Sequence, residues 1–186
     1  MDIAPSIPWT VESFVAWEDQ QDGKHEFDGQ RVVAMTGGSR AHQRIIFNLL
    51  TLLMGRVSSG FDVVQEMRVR IGARVRYPDV CVCAGLIPPA TRTLTDAVAI
   101  FEVLSAETAS TDRQTKLAEY AELPGILCYV LLEQSRIGVT VHRRRGGRWE
   151  TQLPANGVLP LPDIGTAVPV GAIHAGVRLA TNGGPR

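Results

Sequence analysis

The hydrophobic residues of this chain recur at two different periods, and the pattern predicts a mixture of helices and strands. From 41 to 54 the apolar positions repeat at helical spacing, and Gly55 stands where such a helix would end. A shorter helix is predicted after Thr10, which can cap its amino end, while Trp9 and Phe14 can pack around that cap. Both helices precede the longest strand-like part of the chain.

The strand-like segments are short apolar or alternating runs bounded by turn residues. The stretch from Lys24 to Ala34 predicts two strands around a turn at Asp28-Gly29. Further runs of the same kind predict strands at 62–71, 79–83, 97–104, 126–132 and 138–142. The run at 97–104 is almost continuously apolar, as expected of a strand that is covered on both faces of a sheet.

A second core helix, after the one at 41–54, is predicted between the strands at 97–104 and 126–132. Thr111 and Gln114 have the spacing of a capping box, and Pro124-Gly125 closes the segment. The core order is then helix, three strands, helix and strand. This order predicts an α/β fold, with a mixed central sheet flanked by helices.

The length and composition indicate one ordinary globular domain. Hydrophobic residues make up 45% of the chain and charged residues 20%, which is typical of a folded protein. We expect a single domain over 1–186, with its core at about 9–142 and C-terminal strands with a Pro/Gly-rich tail at 143–186. No apolar run approaches the roughly 20 residues that a membrane helix needs, and the amino terminus lacks a signal core, so a cytoplasmic protein without membrane contact is predicted.

Cysteines and arginines leave several functional classes open. The three cysteines lie in strand-like runs without the companion ligands of a zinc site, which favours buried free thiols. The formal net charge is zero, so no global basic field indicates nucleic acid. Arginines nevertheless cluster at 68–76 and 143–148, where they could contact phosphate or form solvated turns.

Two acidic residues stand where strands rarely tolerate charge. Asp79 opens a strand directly after Pro78, and Glu102 lies inside the apolar run at 97–104. A buried carboxylate costs several kcal/mol unless it is paired, protonated or bound to a cation. Two such acids on neighbouring strands could share a divalent ion, and their hard oxygens suit Mg²⁺ or Mn²⁺. A buried arginine partner is the alternative for Glu102.

Three further residues could join these acids. Only two of the 19 basic residues are lysines, and Lys116 lies one turn into the second helix, where an ammonium could stabilise a phosphoryl transition state. Pairing with Asp112 on the surface is its alternative. Glu26 could point into the same cleft or occupy an exposed strand position. His42 could serve the site or be a core-edge residue with one hydrogen bond.

Five short motifs follow one another along the chain with characteristic spacing. They are His25-Glu26-Phe27-Asp28-Gly29, Ala41-His42-Gln43, Tyr77-Pro78-Asp79-Val80, Phe101-Glu102-Val103-Leu104-Ser105 and the run from Asp112 to Tyr120. The ordered set resembles the Uma-two family of proposed restriction endonucleases, a branch of the PD-(D/E)XK nuclease superfamily. The resemblance extends over about residues 9 to 142.

The resemblance implies a restriction-endonuclease-like core and a metal-dependent site. It implies that Asp79 and Glu102 bind Mg²⁺ or Mn²⁺ with the main-chain carbonyl of Val103. The superfamily usually carries a lysine two residues after the second acid, where this chain has Leu104, but the family places it on the next helix, as Lys116 is. The resemblance further implies two residues that complete the site and three that support it: Glu26 and His42, then Gln65, Arg113 and Tyr120.

Three functions are compatible with these residues. The leading hypothesis is an Mg²⁺-dependent endonuclease that hydrolyses phosphodiester bonds in DNA, in which Asp79 and Glu102 hold the ion and Lys116 stabilises charge. The alternatives are a non-catalytic module that binds nucleic acid or protein, and a metal hydrolase acting on a smaller phosphoester. By analogy with the superfamily, a homodimer is expected.

Overall fold

The computed structural model describes residues 9–105 and 109–178 of the 186-residue chain. Its helices are α1 (Val11–Glu18), α2 (Arg40–Met54), α3 (Leu117–Ala121), which continues a π-helical turn over Thr111–Lys116, and α4 (Val170–Ile173), with a 3-10 turn at Pro162–Ile164. Its strands are β1 (His25–Phe27), β2 (Val32–Ala34), β3 (Phe61–Gln65), β4 (Arg68–Ile71), β5 (Arg74–Arg76), β6 (Val80–Ala84), β7 (Thr93–Leu94), β8 (Ala97–Leu104), β9 (Cys128–Glu133), β10 (Val139–Arg145), β11 (Arg148–Gln152), β12 (Val158–Leu161) and β13 (Thr166–Pro169).

The central sheet has six strands in the order β11-β10-β9-β8-β6-β3. Strands β8 and β9 run parallel, and every other neighbouring pair in this sheet is antiparallel. A parallel pair needs a crossover, and the π-helical turn with α3 supplies it between β8 and β9. The predicted mixed α/β architecture with a helix–three strands–helix–strand core is thereby confirmed.

Both faces of the central sheet are covered, which explains why β8 is apolar at nearly every position. Ala99, Phe101 and Val103 belong to a core with the buried face of α2 and with β12, β13 and α4. Ile100 and Leu104 belong to a second core on the opposite face, together with residues of β4, α3 and β9. Alternate residues of one strand therefore serve two separate cores.

A second sheet lies beside the first, and it corrects the predicted strand at 62–71. This segment forms two strands in different sheets, because β3 pairs with β6 whereas β4 belongs to the five-stranded sheet β2-β1-β5-β4-β7. The chain turns at Glu66, whose φ of 47° is unusual for a residue with a side chain. Its amide donates to the carbonyl oxygens of Pro78 and Asp79, so long-range bonds hold the turn.

The helix starts were predicted with mixed success. Thr10 caps α1 in a reciprocal capping box with Ser13, and the Trp9 and Phe14 rings meet edge to face at 6.4 Å, as predicted. The capping box at Thr111 and Gln114 is wrong, because Thr111 lies inside the π-helical turn and the preceding Ser110 makes no side-chain cap.

Two predictions about the chain as a whole can be compared with the structure. The cysteines Cys81, Cys83 and Cys128 are buried and free, as expected from their apolar neighbours. Within the described ranges, no helix is both long and apolar enough to cross a membrane.

Candidate active site

A cleft of about 890 Å³ opens between the central sheet, the β1–β2 hairpin and the amino end of α2. Hairpin, loop and helix residues form its rim, and the ends of β6 and β8 form its floor. Its lining includes six of the residues singled out in the sequence: Glu26, His42, Asp79, Glu102, Val103 and Lys116. Elements that are far apart in sequence thus bring the predicted residues together.

Asp79 lies immediately before β6 and is 9% exposed. Its Oδ2 accepts a 2.6 Å hydrogen bond from the Val103 main-chain N–H and lies 3.3 Å from His42 Nε2. The first contact follows from sheet pairing, because β6 and β8 are neighbours. The Asp79 carboxylate is therefore fixed against the peptide that follows Glu102.

Glu102 lies on the cleft floor and is 4% exposed. Its Oε1 accepts hydrogen bonds from Lys116 Nζ at 2.9 Å and from the Tyr120 hydroxyl at 3.3 Å. Burial raises the pKa of Glu102 well above its usual range, and the charge of Asp79 adds to this, although Lys116 acts in the opposite direction. Such a carboxylate gains from any additional positive charge.

Lys116 lies among three carboxylates. Its Nζ is 2.9 Å from Glu102, 3.1 Å from Asp112 and 3.4 Å from Glu26. Burial lowers the pKa of Lys116, but these charges outweigh it, so that the net pKa is raised and the ammonium is retained. The surface pairing considered as an alternative is wrong, because Asp112 and Lys116 do pair but are only 2% and 7% exposed.

Glu26 is held at both carboxylate oxygens and does not occupy an exposed strand position. Arg76 Nη1 donates to Oε2 at 3.0 Å, while the Tyr77 main-chain N–H donates to Oε1 at 3.2 Å. Arg76 also forms two 2.7 Å hydrogen bonds to Glu119, which fixes the guanidinium against α3. Glu26 is therefore presented to Lys116 by a buried arginine.

Two arginines of the predicted basic stretch at 68–76 serve the interior of the protein. Arg76 is 4% exposed and bound as described above, and Arg68 is 5% exposed and paired with Glu18 and Asp19. These two arginines therefore do not form a surface for phosphate. Sequence reasoning missed Arg76 because nothing in its local pattern separates it from the exposed arginine at position 70.

His42 lies at the cleft wall, on the first turn of α2. Its Nδ1 is buried and has no hydrogen-bond partner among the residues that the structure describes, and a Cβ placed on Gly38 would lie only 2.4 Å from this atom. Burial lowers the pKa of His42, but the contact with Asp79 raises it by more, so the net shift is upward. His42 therefore contacts a proposed metal ligand and is tightly enclosed.

Of the three residues predicted to support the site, one contacts Glu102 and two lie elsewhere. Tyr120 is fully buried and binds Glu102. Gln65 and Arg113 are not among the described residues that line the cleft: Gln65 is exposed at the end of β3, and Arg113 pairs with Glu133 at 2.7 Å. Asp112, the neighbour of Arg113, reaches the cleft instead, and its spacing of four residues from Lys116 was the available signal.

The donor set is compatible with a hard divalent cation. Asp79, Glu102 and the Val103 peptide offer oxygen donors at the junction of two strands, and Mg²⁺ typically takes one or two carboxylates and keeps several waters. Within 9–105 and 109–178, no group of three or more His, Cys, Asp or Glu side chains is arranged to hold a metal by itself. A cation bound by the two carboxylates, the Val103 main-chain carbonyl and water is compatible with both observations.

The charge of the cleft lining is also compatible with a bound cation. Five carboxylates and two ammonium groups are found among the described lining residues: Glu26, Glu66, Asp79, Glu102 and Asp112, against Lys24 and Lys116. Lys24 is partly neutralised, because its Nζ lies 2.9 Å from Glu66. An anionic substrate would meet repulsion here unless a cation were bound first.

Comparison with known proteins places the chain in a family. A family model described as "Putative restriction endonuclease", Uma2, matches residues 11–169. The uncharacterized protein slr1290 of Synechocystis sp. is 31% identical over 94% of this chain and 97% of its own length, and sll1609 of the same organism is 28% identical over 80% and 88%.

A solved structure gives independent support for the fold. It is a crystal structure from Anabaena variabilis described as a putative nuclease belonging to DUF820, with a TM-score of 0.74 and 16% identity. The match covers 90% of this chain and 98% of that one. The ordered motifs, the restriction-endonuclease-like core and the family match agree, and the chain belongs to the Uma2 family.

Proposed function

We propose that this protein is a metal-dependent endonuclease that hydrolyses phosphodiester bonds in DNA. Asp79, Glu102 and the main-chain carbonyl of Val103 would hold Mg²⁺ or Mn²⁺. The observation that carries the proposal is the buried Glu102–Lys116 pair, at 2.9 Å, beside Asp79 on the floor of an open cleft. Membership of a family of nuclease type supports the same reaction class.

Each residue of the site has a distinct role in this proposal. A divalent ion, if held there, would supply a water of lowered pKa and would polarise the scissile phosphate. Lys116, fixed by its carboxylate neighbours, offers a permanent positive charge for the pentavalent transition state. His42 restrains Asp79 through the 3.3 Å contact, and Glu26 restrains Lys116 from the opposite wall.

The acidic lining also argues against a module that only binds DNA. A passive binder would gain from basic residues beside phosphate, whereas this cleft presents more carboxylates than ammonium groups. Binding that requires a divalent ion and depends on Glu102 is the behaviour expected of a nuclease site. Metal-independent binding that survives loss of the acids would favour the module.

The decisive experiment compares cleavage of supercoiled, linear and single-stranded DNA in Mg²⁺, in Mn²⁺ and in EDTA. Glu102→Gln is the test variant, and Glu150→Gln is the matched control, since Glu150 is exposed on β11 and its carboxylate lies 3.5 Å from Arg145. We expect Glu102→Gln to reduce cleavage by more than about 100-fold, because even outer partners of metal ligands cost about 10–100-fold. Equal rates for both variants would refute the site.

Substrate size and assembly have their own tests. Preferential hydrolysis of a small nucleotide over any DNA would favour the smaller phosphoester as substrate. A homodimer is proposed by analogy with nucleases that cut both strands, and analytical ultracentrifugation with and without DNA tests it. Cytoplasmic location stays a prediction from the sequence.

A further inference from the structure

Tyr129 makes a buried polar contact to which the proposed reaction assigns no role. It lies on β9, is fully buried, and its hydroxyl donates a 2.9 Å hydrogen bond to the main-chain carbonyl of Asp112. The contact joins the central sheet to the turn that carries Lys116. A buried hydroxyl needs such a partner, but the choice of a helix carbonyl fixes the helix as well.

The turn that Tyr129 contacts is π-helical over Thr111–Lys116. Turns of this kind are rare and are frequently found at functional sites. In an α-helix with 3.6 residues per turn, each step of four residues drifts by about 40° around the axis. Side chains at positions 112, 116 and 120 would therefore spread over about 80° of a regular helix.

The wider π-helical turn counteracts this drift. Lys116 Nζ reaches Asp112 at 3.1 Å, and both Lys116 and Tyr120 reach the same oxygen of Glu102, at 2.9 and 3.3 Å. Lys116 and Tyr120, four residues apart, thus meet at one oxygen of Glu102, and Asp112, four residues before Lys116, pairs with the Lys116 ammonium. Arg113 is directed away from the cleft, where it pairs with Glu133.

The Tyr129 ring is held rigidly enough to act as an anchor. Its centroid lies 5.1 Å from that of Tyr120 in an edge-to-face contact and 6.0 Å from that of His142 in a stacked contact. The ring cannot rotate away without disturbing both neighbours, so the direction of its hydroxyl is set by the sheet. The hydrogen bond from the Tyr129 hydroxyl therefore fixes the π-helical turn relative to β9.

We propose that Tyr129 is a positioning residue, whose hydroxyl holds the π-helical turn so that Lys116 and Asp112 face Glu102. Its importance for catalysis rests on the nuclease function proposed above, whereas its effect on Lys116 does not. Removal of the hydroxyl lets the turn relax toward α-helical geometry, and Lys116 then leaves its position beside Glu102.

The chain offers a direct probe, because it contains only two lysines, Lys24 and Lys116. In protein labelled with ¹³C,¹⁵N-lysine, Lys24→Arg assigns the two side-chain signals. We expect Tyr129→Phe to move the Lys116 signal toward that of an exposed lysine. Tyr77→Phe is the matched control, because it removes a buried hydroxyl bound to Glu18 at 2.8 Å, outside the π-helical turn. It should leave the Lys116 signal in place.

Kinetics supply the second readout. With the turn displaced, we expect kcat for DNA cleavage to fall by about 10- to 100-fold, with KM unchanged, as for a catalytic group misplaced by about 1 Å. An unmoved Lys116 signal in folded Tyr129→Phe would overturn the proposal, whatever the rate. A parent protein that cuts no DNA would overturn the nuclease function alone, since the lysine signals still decide the positioning.

A measurement on the parent protein covers the case in which Tyr129→Phe does not fold. A nuclear Overhauser contact between the Tyr129 hydroxyl proton and the Asp112 segment supports the anchor. Its absence, with the hydroxyl proton visible, overturns the anchor.

Discussion

The packing of Gly38 on His42 leads to a sharp prediction about the cleft wall. A Cβ added at Gly38 would lie 2.4 Å from Nδ1 and 2.8 Å from Cγ of the His42 ring, about 1 Å closer than ordinary contact. Neither Gly37 nor Gly38 has a positive φ, so alanine strains the backbone at neither position. Gly38→Ala must therefore move the imidazole, and with it the contact to Asp79.

The size of the effect follows from this displacement. Overpacking of an enclosed group typically costs about 1–3 kcal/mol. Replacing glycine by alanine returns about 0.4–1 kcal/mol, because the unfolded chain becomes less flexible. Gly37→Ala is the control, since a Cβ there meets nothing within 4 Å. We expect Gly37→Ala to be neutral or slightly stabilising, and Gly38→Ala to be less stable than Gly37→Ala by about 1–3 kcal/mol, because both variants share the gain from alanine.

Urea unfolding in metal-free buffer measures this difference, and its pH dependence identifies the cause. The folded-state pKa of His42 is raised, so its stabilisation is fully present below the unfolded value of about 6.5 and is lost as the pH rises through the folded value. The gap between parent and Gly38→Ala should therefore be wider at low pH than at high pH. In Gly38→Ala the His42 pKa should fall, because burial remains while the Asp79 contact is lost.

Cleavage of DNA by the same two variants tests the link to function. A ring shift of about 1 Å that releases Asp79 should lower kcat by up to about 100-fold in Gly38→Ala. Gly37→Ala should cleave like the parent. Equal stability, equal His42 pKa and equal rates in both variants would refute this prediction. The prediction depends on one difference between the two glycines, namely that a Cβ at Gly38 meets His42 whereas a Cβ at Gly37 meets nothing within 4 Å.

Three other changes have defined outcomes in urea unfolding. Lys116→Met leaves Glu102 buried without its cation, so we expect a loss of about 3–5 kcal/mol, smaller in Mg²⁺ than in EDTA. Equal losses in both would count against metal binding beside Glu102. Arg76→Lys cannot donate to both oxygens of Glu119, and we expect a loss of about 1.5–3 kcal/mol; no loss would mean that the fork geometry is immaterial. Burial lowers the pKa of His142, so its stabilisation is present above about pH 6.5 and is lost as the pH falls through the folded value. The parent should lose more stability between pH 7 and 5 than His142→Gln, and identical losses would contradict this.

Much of the fold was predictable because the buried parts of its strands and helices are visible in the sequence as apolar positions. The run at 97–104 was predicted with the bounds that β8 has, since a strand covered on both faces is apolar throughout. The helix predicted at 41–54 differs from α2 by one residue at its start. Asp79 and Glu102 stood out for the same reason, as carboxylates among residues that belong in a core.

The failures arose where distant contacts decide local geometry. The break at Glu66 depends on hydrogen bonds to Pro78 and Asp79, which no local pattern records. The π-helical turn likewise accepts a hydrogen bond from Tyr129, 17 residues further along the chain. A sequence window reports propensity and burial, and it is blind to a bond whose partner lies outside it.

The candidate site likewise contains features that the local sequence shows and features that only tertiary contacts determine. The amino-acid sequence by itself determined the α/β core through its hydrophobic periods and the two acids through their apolar surroundings. It singled out Lys116 as one of two lysines among 19 basic residues. Only the tertiary structure decided that Arg76 links Glu26 to Glu119 across separations of 50 and 43 residues, and that Gly38 encloses His42. Those relations are distances between side chains on separate elements, and only the packing of the sheets and helices sets them.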